Sequence, residues 1–357
     1  MHRLLLALLA LDTPFEYIFA PVTENNRRNS EADMIALRDG RLLLAWTEFY
    51  TTQGSDWGPA RLSAVYSSDQ GRTWSGKFTL QENIGTMNVM EPDFLRLKSG
   101  KILFAFARKN SEADCLPHLR VSTDDARTFL PPRPIPINPA PSYTGMNNDR
   151  MIQLRSGRVV LPLWYTTDYR IDPHIRTRVY YSDNEGRDWK PSRTLVDLPD
   201  SKAGAQEPGV IELRDGRVLM WIRTDKGKIY RAESRDRAET WSTPEPMPLD
   251  SPRSPQSMKR LPNGDILLVW NNSPDQRFPL TAAISKDEGR TWTHIRNLDD
   301  TPGHTYAYTS IEFLKDRALF TYYSGPPSGI RVADAGWALK LKSVPLDWFY
   351  QGPPAGR

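Results

Sequence analysis

The sequence predicts an all-β protein, a six-bladed β-propeller built from four-stranded antiparallel blades. Three observations predict it: an apolar hairpin recurs six times, a turn segment rich in Ser, Asp and Trp recurs five times, and the two alternate along the chain. One hairpin and one turn segment supply four strands, and a repeat of about 50–60 residues suits a propeller blade. We therefore expect residues 12–357 to form a single propeller domain, although the chain length of 357 residues alone suggests two or three domains.

Each hairpin consists of two apolar runs joined by a short turn that usually contains glycine. The six copies span residues 33–46, 94–106, 151–164, 210–222, 258–270 and 311–322. The sixth copy has Asp316 in its turn and no turn segment after it, so residues 329–332 and 337–342 are the expected outer strands of that blade.

The five turn segments have the pattern of Asp-boxes. They span residues 67–74, 122–129, 182–189, 234–241 and 285–292. In such a turn Ser and Asp side chains bond the backbone, Gly accepts a positive φ, and the aromatic residue packs on the blade. Five copies cannot form one active site, so we interpret them as structural. In an up-and-down blade they share a face with the hairpin turns, and functional residues are expected on the opposite face.

Composition narrows the function classes. The 47 Lys and Arg residues barely exceed the 43 Asp and Glu residues, and the two kinds are mixed along the chain. The sequence therefore predicts no basic face of the kind that binds nucleic acid. The single cysteine, Cys115, excludes an internal disulfide and a cysteine-rich metal site, and no cofactor is expected.

The apolar run Leu4–Leu11 follows a basic start and resembles a short or truncated export signal, which predicts a secreted or periplasmic protein. If the run is instead a buried strand, the protein is cytoplasmic. No later segment has the roughly 20 apolar residues of a membrane span.

Functional side chains are predicted to converge at one mouth, because the first strand of each blade is nearest the axis. The six entrances of these strands hold Glu31, Glu91, Asn148, Glu207, Pro255 and Tyr308. The ends of the second strands add Glu48, Arg108, Tyr165, Arg223 and Asn271, and the following loops add Asp56, His118, His174 and Arg277. Acids, arginines and a tyrosine at one mouth favour a site for a polar, anionic ligand.

Over nearly its whole length the chain resembles the sialidase superfamily. The segment from Glu207 to Arg223 is similar to the stretch in which a Glu opens one strand and a carboxylate-binding Arg ends the next. The segment 271–281 resembles the stretch that carries another such arginine, here Arg277. Tyr308-Thr-Ser resembles the nucleophile motif, and Gly54-Ser-Asp56 resembles the acid/base loop. In the first blade the family has an Arg-Ile-Pro-like motif, whereas this chain has Asn29-Ser-Glu-Ala-Asp33 at that place. Arg27 or Arg28 is the nearest candidate for the arginine of that motif.

The resemblance implies a retaining exo-glycosidase for a terminal acidic sugar, with a glycan or glycoconjugate as its partner. Tyr308 would be the nucleophile, Glu207 its base and Asp56 the acid/base, while Arg223 and Arg277 would bind the substrate carboxylate. The further substrate-binding candidates are Arg28, Glu31, Glu91, Arg108, Arg150 and Tyr165.

Two alternatives remain open. One is a hydrolase or lyase for a different acidic sugar, whose site Glu31, Glu91, Arg150, Tyr165 or His174 reshapes. The other is a non-catalytic glycan-binding propeller, which needs the arginines but has no requirement for Tyr308, Glu207 and Asp56 together. Sugar, linkage and oligomeric state are not encoded in any pattern of the sequence.

Overall fold

The computed structural model describes residues 13–52, 54–137, 143–327 and 336–351, and these form an all-β fold. The first sheet has the order β2-β3-β4-β5. The strands in this part of the chain are β1 (Phe15–Ala20), β2 (Arg28–Ala36), β3 (Leu42–Phe49), β4 (Ala60–Ser67) and β5 (Phe78–Gln81).

The second and third predicted hairpins share one nine-stranded sheet. Its strands are β6 (Asn88–Arg96), β7 (Ile102–Ser111), β8 (Asp114–Ser122), β9 (Arg133–Pro134), β10 (Tyr143–Gly145), β11 (Ile152–Gln153), β12 (Val159–Thr166), β13 (Arg176–Ser182) and β14 (Lys190–Pro191). The two halves are joined by a single parallel pair, Tyr143 with Cys115. The described residues therefore form five sheets, and six separate blades are not observed.

The last three hairpins each lie in a four-stranded sheet. Their strands are β15 (Gln206–Glu212), β16 (Val218–Arg223), β17 (Lys228–Ser234) and β18 (Glu245–Asp250), then β19 (Ser257–Arg260), β20 (Ile266–Asn271), β21 (Leu280–Ser285) and β22 (Thr293–Asp299), then β23 (Thr305–Phe313), β24 (Arg317–Gly325) and β25 (Ala338–Pro345). The last sheet is completed by β1, which pairs antiparallel with β25. Of the expected outer strands of the sixth hairpin, 337–342 overlaps β25, whereas 329–332 lies outside the described residues, as does the predicted export signal at 1–11.

Each hairpin packs against the next through a separate apolar cluster. Leu43 and Leu62 meet Phe104 between the first two hairpins, and Leu319 and Leu341 meet Leu44 between the last hairpin and the first. Four further clusters join the remaining neighbours in chain order. Inner strands such as β16 and β20 are buried along their whole length, because both of their faces are covered.

The five segments predicted as Asp-boxes share one hydrogen-bond pattern. In the first, the Ser67 hydroxyl donates to Asp69 and accepts the amide hydrogen of Gly71, at 2.9 Å in both cases. The same two bonds occur in the other four segments, with Asn184 replacing Asp in the third. This pattern fits a structural role.

The hairpin turns and these segments lie on the same face, as predicted. The Arg38 amide of the first turn donates to Asp125 of the second segment, and the Arg214 amide donates to Glu288 of the fifth. After the sixth hairpin, a short 3₁₀ helix (Leu346–Tyr350) takes the place of the missing segment, and its Tyr350 hydroxyl bonds Asp265 in the neighbouring turn. No helix among the described residues is long and apolar enough to cross a membrane.

Candidate functional site

A cavity of about 350 Å³ is lined by residues from the entrances of four first strands. Glu31, Glu91, Glu207 and Tyr308 occupy equivalent places in β2, β6, β15 and β23. All four have a positive φ, between 38° and 64°, and each lies where the register with the second strand shifts. A β-bulge at each entrance therefore turns one side chain into the cavity.

Tyr308 and Glu207 meet across this cavity although 101 residues separate them. The Tyr308 hydroxyl lies 3.2 Å from Glu207 Oε1, and Arg223 donates to the other carboxylate oxygen, Oε2. The three side chains form one chain of contacts in the order tyrosine, carboxylate, guanidinium. This is the geometry that a nucleophile and its base require.

Burial raises the pKa of Tyr308 well above its ordinary value, and the Glu207 charge adds to this, while Arg223 and Arg277 oppose it. The hydroxyl therefore stays protonated at neutral pH and needs a base to become a nucleophile. Burial lowers the pKa of Arg223, but the charges of Glu207 and Tyr308 outweigh this and raise it overall.

Arg28 enters the cavity from β2 and pairs with two acids. Its guanidinium donates to Glu31 and, over 2.5 Å, to Asp56 Oδ1, and it stacks on the Phe49 ring with 4.8 Å between the guanidinium carbon and the ring centroid. Burial raises the pKa of Glu31, although the Arg28 charge opposes it.

Asp56 lies at the rim, where 59% of its side chain is exposed. The protein atoms around the cavity mouth partly desolvate the carboxyl group and raise its pKa, but the charges of Arg28 and Lys109 outweigh this effect and hold the pKa at about 2. The acid is thus ionised while it is paired with Arg28.

Arg277 faces the cavity from the loop between β20 and β21. Its guanidinium donates to the Tyr323 hydroxyl over 2.6 Å and to the Arg253 carbonyl over 3.1 Å. Tyr323 also lies against Tyr308, with ring centroids 5.8 Å apart. Arg28, Arg223, Arg253 and Arg277 all line the same cavity, so several guanidinium groups are available to an anion there.

A second wall of the cavity is aromatic. It is lined by Trp57, Tyr143, Trp164 and Tyr169, whose rings contact one another edge to face or tilted. This wall lies beside Asp56, the residue that precedes Trp57 in the chain, so a ligand would meet charge on one side and apolar surface on the other.

Glu91 completes the ring of entrance residues. Burial raises its pKa well above the ordinary value, and the negative charges of Glu31 and Glu207 raise it further, while Lys109 opposes them.

Three predicted substrate-binding residues do not line the cavity. Arg108 is paired with Asp114 over 3.1 Å on the other face of β7. Tyr165 lies one residue beyond Trp164, which lines the cavity in its place. Arg150 is buried below the cavity, where it donates to the Gln256 carbonyl over 2.8 Å. His174, named in one alternative, bonds Asp197 instead.

The error at Arg108 has a physical cause in the bulge. Arg223 is opposite Gln206, the residue before Glu207, whereas the residue opposite Met90, before Glu91, is Ala107. Since side chains alternate along a strand, Lys109 lies on the same face as Ala107 and Arg108 lies on the other. Lys109 therefore lines this corner of the cavity, and Arg108 does not.

Sequence reasoning also missed Arg253, Lys109, Tyr323 and the aromatic wall. Tyr323 occupies in β24 the register place that Arg223 has in β16, opposite Ala307 before the bulge residue Tyr308. If residues of the second strands had been counted from the bulge positions, Tyr323 would have been predicted at the cavity. No pattern in the sequence indicates Arg253. Among the described residues, no three His, Cys, Asp or Glu side chains are grouped to hold a metal ion.

The family model of BNR repeat-like domains matches residues 102–319, more than half of the chain. The chain belongs to the BNR repeat-like domain family. This BNR-repeat chain is 24% identical over 236 residues to a sialidase of Bacteroides fragilis (strain YCH46), a match that covers 63% of the chain and 42% of that relative. It therefore spans less than half the length of that relative.

Solved structures resemble the BNR-repeat chain over most of its length. A protein of unknown function from Dyadobacter fermentans has a TM-score of 0.74 at 21% identity, covering 92% of this chain and 98% of its own. The intramolecular trans-sialidase of Ruminococcus gnavus has a TM-score of 0.74 at 15% identity (95% and 99%), and the NanB sialidase of Streptococcus pneumoniae 0.73 at 15% (94% and 71%). The family predicted from the sequence, the sialidase superfamily with BNR repeats, is confirmed.

Proposed function

We propose that this chain is a retaining exo-glycosidase that removes a terminal acidic sugar, sialic acid or a related one, from a glycan. The observation that carries the proposal is the contact of the Tyr308 hydroxyl with Glu207, at 3.2 Å, in a cavity lined by four arginines. A structure that only binds glycans has no need for a buried tyrosine aimed at a carboxylate.

The arginines bind the substrate carboxylate. Planar guanidinium groups form bidentate bonds to carboxylates, and Arg28, Arg223 and Arg277 come from three separate elements around one cavity. In the free protein Arg28 is occupied by Glu31 and Asp56. The incoming carboxylate competes for Arg28 and so releases Asp56, whose pKa then rises toward the value that a general acid needs.

In the first step, the Tyr308 oxygen attacks the anomeric carbon while Glu207 accepts the phenolic proton. The bond from that carbon to the leaving oxygen breaks, and Asp56 donates its proton to this oxygen. A neutral hydroxyl suits this attack, because a carboxylate nucleophile would be repelled by the carboxylate of the sugar.

In the second step, Asp56 accepts a proton from water, and the water oxygen attacks the same carbon. The bond to Tyr308 breaks, and the proton on Glu207 returns to the phenolic oxygen. Two displacements at one carbon retain its configuration.

Turnover of chromogenic sialosides by the purified chain, followed by a panel of acidic oligosaccharides, tests the proposal and separates it from its alternatives. Release of sialic acid supports it, and release of a different acidic sugar selects the first alternative. Binding without release from any substrate selects the glycan-binding alternative and contradicts the proposal.

We also propose that residues 12–357 form one propeller with six blades. Six apolar clusters join the six hairpins in a cycle, and β1 completes the sheet of the last hairpin.

Export of the protein from the cytoplasm remains a prediction, and fractionation of a host that expresses the whole chain tests it.

A further inference from the structure

The described residues of the short loop that carries Asp56 have little internal structure. It lies between β3 and β4, and its internal backbone bond runs from the Gly58 amide to the Ser55 carbonyl over 2.9 Å. An acid/base residue must be held close to its reactive geometry, because a displacement of about 1 Å can reduce turnover about a hundredfold. The loop therefore depends on neighbouring elements for its position.

Two buried side chains from the next sheet bind the loop backbone. The Asn88 side-chain amide, from β6, donates to the carbonyls of Asp56, over 3.0 Å, and Gly58, over 2.8 Å. The Lys109 ammonium, from β7, donates to the Asp56 carbonyl over 2.8 Å. Asn88 is fully buried and Lys109 is only 4% exposed, so the donors of these three bonds are shielded from water.

Lys109 is unusual as a buried cation with no ion pair. Among the described residues, no carboxylate oxygen lies within 4.0 Å of its nitrogen. Its other contacts are the Met90 sulfur, at 3.6 Å, and the rings of Trp57 and Tyr143, with centroids at 4.7 and 5.6 Å. Burial of a charge is costly, and cation–π contacts offset only part of the cost.

We propose that Lys109 and Asn88 are positioning residues for the acid/base loop, and that the Lys109 charge also keeps the Asp56 carboxylate ionised between the two chemical steps. This inference rests on the proposed function, since it assigns to Asp56 the acid/base role given there. The cost of burying the unpaired lysine is the observation that favours a functional role over simple packing.

Asp56 is surrounded by charged or titratable groups from several elements. They are Arg28 and Glu31 from β2, Glu91 from β6, Lys109 from β7, Tyr143 from β10, and Arg277 from the loop after β20. The Arg28 and Lys109 charges lower the pKa of Asp56 most. When a substrate carboxylate occupies Arg28, Lys109 remains as the main cation beside the acid.

Lys109→Met tests the charge, because methionine is unbranched like lysine, is one atom shorter and can keep the contact with the rings. We expect kcat to fall about tenfold or more while KM changes about twofold or less, since the arginine clamp is untouched. We also expect the pKa of Asp56, followed by carbon NMR of labelled carboxyl groups and assigned with Asp56→Asn, to rise from about 2. Lys109→Arg should restore the low pKa.

Asn88→Ala tests the position without the charge. It removes the side-chain amide that makes two hydrogen bonds to the loop backbone and leaves Lys109 in place. It breaks no other side-chain bond, because Asn88 Oδ1 has no hydrogen-bond partner in this structure. We expect kcat to fall while the pKa of Asp56 stays low. Lys101→Met is the matched control: Lys101 lies by the second hairpin turn on the opposite face and pairs with Glu185 over 2.7 Å, away from the cavity, so the variant should match the wild type in both measurements.

An unchanged Asp56 titration and an unchanged kcat in folded Lys109→Met would overturn the inference. So would a Lys109→Arg variant that behaves like Lys109→Met in the titration. The titration needs no turnover, so it still tests the effect of Lys109 if Asp56→Asn proves fully active, a result that would refute the proposed acid/base role itself.

Discussion

The contact between Tyr308 and Glu207 makes the first prediction at the scale of single residues. Tyr308→Phe removes the nucleophilic oxygen, and Glu207→Gln removes the base, so each should reduce kcat by about 10²-fold or more. Steady-state kinetics on the best substrate of the screen measures this. A mechanism-based fluorinated sugar should become attached to Tyr308, as peptide mass spectrometry would show.

Tyr308→Phe and Glu207→Gln must both still unfold cooperatively on heating, so that a loss of turnover reports on chemistry and not on misfolding. Tyr323→Phe is a useful control for the tyrosine, because it removes a hydroxyl from the same cavity that has no assigned role in bond breaking. Full activity in folded Tyr308→Phe would exclude the assigned nucleophile and leave the acids of the first two hairpins as candidates.

The arginines make a second prediction. Arg223→Lys and Arg277→Lys keep the positive charge but lose the planar fork, so each should raise KM or Kd for an acidic sugar about tenfold. Tyr323→Phe should have a smaller effect, since it removes one 2.6 Å bond that orients Arg277. Titration of an acidic sugar into Tyr308→Phe, with and without each substitution, isolates binding. Equal affinity in all of them would contradict the carboxylate clamp.

Most of the charged residues that line the cavity could be expected from the sequence, but the side chain that the facing strand β7 turns toward the cavity could not. Tyr308, Glu207, Asp56, Arg223 and Arg277 line one cavity, where strand entrances, strand ends and the following loops were expected to meet, and their catalytic and binding roles stay a prediction. Arg108 was expected at the cavity and Lys109 was not, because a bulge between Met90 and Asp93 changes which side chain of the facing strand points inward. Bulges depend on tertiary packing and have no periodic signal.

At the scale of elements, the recurring turn makes a third prediction. Asp69 accepts bonds from the Arg72 and Thr73 amides and from the Thr73 hydroxyl, so it holds the turn and has no contact with the cavity. Asp69→Ala should lower the free energy of unfolding by about 1–2 kcal/mol and leave turnover of the folded enzyme unchanged. Urea denaturation and steady-state kinetics measure the two effects.

Glu24→Ala, an exposed acid, is the control for Asp69→Ala and should change neither quantity. A folded Asp69→Ala protein that has lost turnover but no stability would show that the turn serves chemistry and not structure.

The hairpins were the most predictable elements, since each has two apolar runs around a turn. The sheet of the sixth hairpin was less predictable, because its closing strand is β1 and a 3₁₀ helix replaces its turn segment. Neither feature repeats, and repetition was the signal that identified the others.

At the scale of the whole molecule, buried acids make the stability depend on pH. Burial raises the pKa of Asp93, helped by the Asp149 charge, and that of Glu312, both to about 7. Between about pH 4 and pH 7 the folded protein therefore holds protons that the unfolded chain has released. We expect the free energy of unfolding to fall as the pH rises through this range. It should also fall as the pH drops below about 4, because Asp56 and Asp299, with pKa values of about 2, then become protonated and lose their ion pairs with Arg28 and Lys340.

Asp93→Asn isolates one of these acids. Its Oδ2 accepts the amides of Arg150 and Met151, which an asparagine oxygen can also accept, while Oδ1 has no partner. We expect the variant to lose less stability between pH 5 and pH 8 than the wild type in urea denaturation. An identical pH dependence in both proteins would contradict the assignment to Asp93.

The pairing of β1 with β25 has a consequence for synthesis on the ribosome. Phe15–Ala20 emerges among the first described residues, but its partner Ala338–Pro345 emerges among the last. Until then the edge of β1 has no partner, and an unpaired strand edge is a template for aggregation. Because this pairing joins the first and the last of the described strands, it is expected to be a late and slow event, and the nascent protein is most in need of a chaperone just before Ala338–Pro345 emerges.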